Sequence, residues 1–135
     1  MRIFIDTAPF IYLIEEHPEF SHPVKDLFLE YVTNNDSLIS SVVKLAKFGV
    51  GPEKAGRPDI ILKFEQFLRK LGIQILDINQ EIARKSYQLR AKYPFLKGMD
   101  ALQIAAALVN SCDSFLTNDV KLNSVKEIKT ITLMK

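Results

Sequence analysis

Apolar and polar positions along this chain fall into short blocks whose spacing separates strands from helices. Ile3-Phe4-Ile5 is a brief apolar run that stops on Asp6, the pattern of a buried strand. Ala8 to Ile14 follows at once as a helix, with Pro9 in the first turn, where a missing N–H costs nothing. His17 to Ser21 reads as a loop. Val24, Leu27, Phe28, Tyr31 and Val32 then recur at helical spacing, with Ser21 or His22 near the start and Asn34-Asn35-Asp36 as the stop. Ser37 to Ser41 reads as a second strand, and Val42 to about Val50 as a short helix broken by Gly49 and ended by Gly51-Pro52. The segment from Glu53 to Pro58 reads as a surface loop.

Pro58 opens the next helix, whose stripe of Ile60, Phe64, Phe67, Leu68 and Leu71 faces a core, or in part a groove for another chain, until Gly72 closes it. Ile73 to Leu76 is the third strand. Asn79 caps a helix that runs to about Lys92 and stops before Tyr93-Pro94. Gly98 to Asn110 is apolar on nearly every side and belongs in the interior. Asp113 to Thr117 and a segment near Thr130 to Leu133 complete the strands. Strands alternating with helices predict a three-layer α/β/α sandwich around a parallel sheet of about five strands.

The bulk numbers narrow the class. With 135 residues, the expectation is a single domain over 1–135 with room for a real core. A hydrophobic share of 47% against 25% charged argues against disorder. The net charge of +2 is too small to signal nucleic-acid binding by itself, so any basic surface has to be local. No apolar run reaches the roughly 18 residues that cross a bilayer, and the amino terminus shows no signal-peptide pattern. With Cys112 as the single cysteine, a cytoplasmic, reducing setting is expected. Cys112 reads as a near-core residue, and His17 and His22 as loop histidines.

Three carboxylates stand out by position. Asp6 and Asp119 fall just past strand ends, where open α/β sheets bind ligands, and Asp100 lies in the first turn of the buried helix. Singly, each has an ordinary reading: a helix cap, an answer to a helix dipole, an Asx-turn. Together they repel, at about 4 kcal/mol per pair at ~4 Å and an effective dielectric of ~20. A cation resolves that repulsion. Carboxylates with water suit Mg²⁺ or Mn²⁺, and the chemistry that follows is metal-assisted phosphodiester hydrolysis.

Ile3-Phe4-Ile5-Asp6-Thr7, Ile39-Ser40-Ser41, Lys97-Gly98-Met99-Asp100-Ala101-Leu102-Gln103-Ile104-Ala105-Ala106-Ala107 and Phe115-Leu116-Thr117-Asn118-Asp119 together resemble the PIN domain family, and within it the VapC-type toxins of toxin–antitoxin pairs. That resemblance implies the sheet described above and Mg²⁺- or Mn²⁺-dependent endoribonuclease activity on RNA. It also implies homodimerisation and inhibition by a cognate antitoxin. Asp6, Asp100 and Asp119 match the family's acidic positions, with Thr7, Thr117 and Asn118 as supporting polar residues.

The chain departs from the family pattern at one place. A Ser-x-x-Thr-x-x-Glu pattern aligned through Ser41 puts Lys44 at the Thr position and Lys47 at the usual Glu position. Either this helix is rotated and both lysines are solvated, or Lys47 points into the acids and competes with the ion. Glu16, ten residues past Asp6 and about 15 Å along a helix, is a poor replacement. Lys44, Arg84, Arg90 and Lys97 are candidate RNA-backbone contacts. Two functional readings therefore stand: a ribonuclease weakened by Lys47, or a catalytically impaired PIN domain that binds RNA or antitoxin. A phosphoacceptor switch would want two adjacent acids after the first strand, which Asp6-Thr7 does not supply.

Overall fold

A computed structural model describes residues 1–133. The chain runs β1 (Arg2–Ile5), α1 (Thr7–Ile14), α2 (Ser21–Thr33), β2 (Ser37–Ser41), α3 (Val43–Phe48), α4 (Val50–Lys54), α5 (Pro58–Lys70), β3 (Gln74–Leu76), α6 (Gln80–Lys92), α7 (Gly98–Val109), β4 (Ser114–Thr117), a short 3-10 helix (Val120–Ser124) and β5 (Lys129–Thr132). All strand pairs are parallel and the order is β3-β2-β1-β4-β5. The chain builds outward from β1 on one side and resumes at β4 on the other. The boundary between β1 and β4 is thus a topological switch point, where a crevice opens at the carboxyl ends of the strands.

Alternation along β1 sorts its side chains between two cores. Phe4 packs with Ile39, Phe115, Ile82, Leu89 and the Ala101, Ile104 and Ala105 face of α7. Ile3 and Ile5 go to the opposite core with Phe10, Val24, Phe28, Phe64 and Leu68. Phe10, Phe28, Phe48 and Phe64 form a chain of ring contacts there, from 4.1 to 5.9 Å between centroids. Helices cover both faces of the sheet, as the strand-helix alternation predicts.

Local signals explain most boundaries. Asn79 Oδ1 accepts from the Ile82 N–H at 2.9 Å and starts α6. Asn35, at φ +58°, follows the end of α2. The expected stop at Gly51-Pro52 is not where the helical chain ends, because α4 runs through both residues and takes in Glu53. Pro52 sits in the first turn of α4, where its absent N–H leaves no hydrogen bond broken. The α2 stripe is also narrower than expected, with Val32 52% exposed. Among the described residues no helix is long and apolar enough to cross a membrane.

At Gly72 the chain takes φ +67° after α5. The Gly72 N–H donates to the Arg69 carbonyl and the Ile73 N–H to the Leu68 carbonyl, a Schellman closure. A Cβ there meets nothing within 4 Å, so substitution strains the backbone alone. Gly72→Ala is expected to cost about 1 kcal/mol in denaturant unfolding.

Candidate active site

Asp6 ends β1, caps α1, and is only 6% exposed. A carboxylate at that depth needs donors, and it has three. Its Oδ1 accepts from the Thr7 N–H at 2.7 Å and from Gln103 Nε2 at 2.7 Å, and its Oδ2 from the Thr117 hydroxyl at 2.8 Å. These donors come from α1, α7 and β4, so one carboxylate ties three segments together. Thr117 Oγ1 in turn accepts from the Asp119 N–H at 3.1 Å, and Asp119 Oδ1 accepts from the Lys121 N–H at 3.1 Å.

Asp6, Asp100 and Asp119 line one cleft of about 870 Å³, with Thr7, Tyr12, Lys47, Lys97, Thr117 and Asn118 also in its wall. The structure therefore brings the three acids to one crevice at the switch point. They differ in setting: Asp6 is buried, Asp100 half-buried and Asp119 exposed. Lys47 Nζ lies 3.3 Å from Asp100 Oδ1, so the amine at the usual glutamate position faces the acids and is paired with one of them. Solvent reaches both partners, which makes this an exchangeable pair.

The oxygens suit a hard cation in chemistry. Among the described residues, however, no three His, Cys, Asp or Glu lie close enough together to hold an ion. The Lys47 ammonium, 3.3 Å from Asp100 Oδ1, is the cation that the structure places beside these acids.

A family model described as the PIN domain matches residues 3–128. The chain belongs to the PIN domain family. Its fold is similar to solved structures of VapBC2 from Rickettsia felis bound to a DNA fragment from their promoter (18% identity, TM-score 0.77, 98% of each chain covered). It is also similar to DNA-bound VapBC from Salmonella typhimurium (18%, 0.78, 98% of each) and VapBC-1 from nontypeable Haemophilus influenzae (19%, 0.76, 100% of each). At such identities the likeness concerns the fold. No match was found among curated proteins.

Other residues of this PIN domain fall where sequence reasoning does not place them. Lys44, expected as an RNA contact, is fully buried, and its ammonium has no hydrogen-bond partner among the described residues. It lies 5.3 Å over the Phe10 ring, so it cannot touch an RNA backbone and leaves that set. The rotation that turns Lys47 toward the cleft carries Lys44, one turn earlier, into the core. Lys97 lines the cleft. Arg90 is exposed, and a Cβ built on Gly98 would meet its Nη1 at 3.9 Å, so this guanidinium flanks the same wall. Arg84 is exposed on α6 outside the cleft wall. Gln103 is the partner of Asp6 that sequence reasoning misses, although one amide inside a largely apolar helix is a usable signal. Cys112 is half-buried and burial pushes its thiol up to about 11, which leaves it inert at neutral pH.

Burial pushes Lys44 down to about 7 from an ordinary 10.5. Below pH 7 both folded and unfolded chains carry its proton, and the cost of burying the charge is present in full. Between pH 7 and 10.5 the unfolded chain holds more protons, so this group's contribution rises with pH by up to about 1.4 kcal/mol per unit. Lys44→Met is therefore expected to be more stable than the parent at pH 7 and below. The difference should shrink toward pH 10 in denaturant titrations across that range.

Proposed function

We propose that this PIN domain is an endoribonuclease of the VapC toxin type that cleaves RNA phosphodiester bonds across the Asp6–Asp100–Asp119 cleft, with Mg²⁺ or Mn²⁺ as cofactor. The observation that carries the reading is the convergence of three carboxylates from β1, α7 and the end of β4 on one crevice. A divalent ion, when bound, would polarise the scissile phosphate and acidify a water. The residues themselves divide the remaining work. Asp6, fixed by three donors, sets the position of the site. Asp119, the most exposed of the three, completes the acidic set at the solvent edge of the cleft. Lys97 and Arg90 hold the RNA backbone beside the cut.

A cognate antitoxin is the expected partner, and a homodimer the expected assembly, in a cytoplasmic setting. The groove between α2 and α5, lined by Leu13, Phe28, Leu29, Val32, Phe67 and Leu71, offers apolar surface for such a partner.

A second reading follows from the Lys47–Asp100 pair: a PIN domain whose internal amine displaces the ion and which binds RNA or antitoxin without cutting. Lys47→Glu removes that amine and adds an oxygen ligand. It is expected to tighten Mn²⁺ binding by about tenfold or more in calorimetry and to raise RNA cleavage. Tight Mn²⁺ binding by the unchanged chain would remove Lys47 from the explanation. Asp100→Asn separates the two readings. Loss of cleavage by roughly 100-fold, with affinity for a short RNA little changed, is the outcome expected of the nuclease. No cleavage by the parent or by Asp100→Asn, with RNA still bound by both, leaves only the binding module.

A further inference from the structure

Tyr12 projects from α1 into the wall of the acidic cleft. Three contacts hold it. Its ring stacks on Phe20 at 5.0 Å and 29°, and packs against His17 at 4.9 Å. His17 is itself fixed, because its Nδ1 accepts from the Glu19 and Phe20 N–H groups, both at 3.1 Å, and its ring stacks on Phe20 at 5.0 Å. The third contact reaches the hydroxyl: Asn118 Nδ2 donates to Tyr12 Oη at 3.0 Å.

That direction of donation matters. A phenol carries one proton and accepts as well as donates. With the Asn118 amide nitrogen on Oη the tyrosyl proton remains for another acceptor; were the amide turned over, Asn118 Oδ1, buried and without a hydrogen-bond partner among the described residues, would take that proton instead. No protein acceptor takes it among the described hydrogen bonds, and the residue stands in the same wall as Asp6 and Asp119. A neutral donor is useful in this crevice. It can approach an anionic oxygen without neutralising the carboxylates, as a lysine or arginine would.

We infer that Tyr12 is a substrate-binding residue whose hydroxyl, oriented by Asn118, donates a hydrogen bond to a non-bridging phosphate oxygen of the bound RNA. The inference rests on the nuclease reading for its substrate and adds to it a residue outside the acids and the basic rim. The aromatic stack fixes the ring before RNA arrives, so little side-chain freedom is lost on binding.

The test uses the full chain and a short single-stranded RNA in chelator, where no cut occurs, with affinity read by fluorescence anisotropy. Tyr12→Phe keeps the stack and deletes only the hydroxyl. It should weaken binding by about tenfold while leaving the melting temperature unchanged. Equal affinity for the parent and Tyr12→Phe overturns the inference and leaves the nuclease reading intact. A loss of affinity matched by a fall in melting temperature marks Tyr12 as structural and also overturns it. A parent chain that neither binds this RNA in chelator nor cleaves it in Mn²⁺, even with Lys47→Glu, removes the nuclease reading and Tyr12's role with it.

Discussion

A carboxylate cannot be buried without donors, and the way this chain supplies them to Asp6 shapes the rest of the molecule. The Thr7 N–H, the Gln103 amide and the Thr117 hydroxyl all reach it within 2.8 Å. The first donor requires α1 to start immediately after β1. The second requires α7 to lie against the sheet with Gln103 turned inward. The third requires β4 to pair with β1 in the observed register, Ile5 opposite Leu116. Moving any of these elements would leave a buried charge short of partners, an expensive state at low dielectric. The crevice between β1 and β4 is a consequence of the same arrangement.

The second constraint is charge balance around that anchor. Asp6 is satisfied by neutral donors, so its negative charge remains to be answered by something in the cleft. Asp100 is answered from within, by Lys47 at 3.3 Å. Asp119 stays at the solvent edge with a backbone partner. The cleft therefore carries an internal cation on one side and open carboxylates on the other, with Tyr12 and Lys97 along the wall. Lys44 shows the cost of the geometry that sets up this pairing. The helical turn that directs Lys47 at Asp100 places Lys44 over Phe10 with no hydrogen-bond partner among the described residues, where burial lowers its pKa to about 7.

Much of this architecture is legible in the order of residues. The strands and helices follow from apolar spacing, the Asn79 cap and the Gly72 stop, because those signals act within a few residues. Sequence and structure part where local rules permit two outcomes. Gly51-Pro52 reads as a terminus, yet proline in a first turn is compatible with a helix, and α4 takes that option. Lys44 and Lys47 are equivalent by their i, i+3 spacing, but helix faces meet different neighbours, and only packing against α1 and α7 separates a core amine from a cleft amine. Gln103 carries a faint signal as an amide in an apolar helix. Tyr12 carries none, since a tyrosine in an amphipathic helix is ordinary.

The order and type of the five strands and of most helices, the parallel sheet they imply, and the placement of three aspartates at strand or helix ends follow from the linear chain. These depend on short-range periodicity and capping, which neighbouring residues state directly. It took the packed fold to establish that the three acids share one crevice, that Lys47 answers Asp100, that Gln103 and Thr117 hold Asp6, and that Asn118 bonds the Tyr12 hydroxyl. Those outcomes rest on contacts between residues up to 111 positions apart. Their geometry follows from strand order and helix rotation, quantities no local pattern encodes.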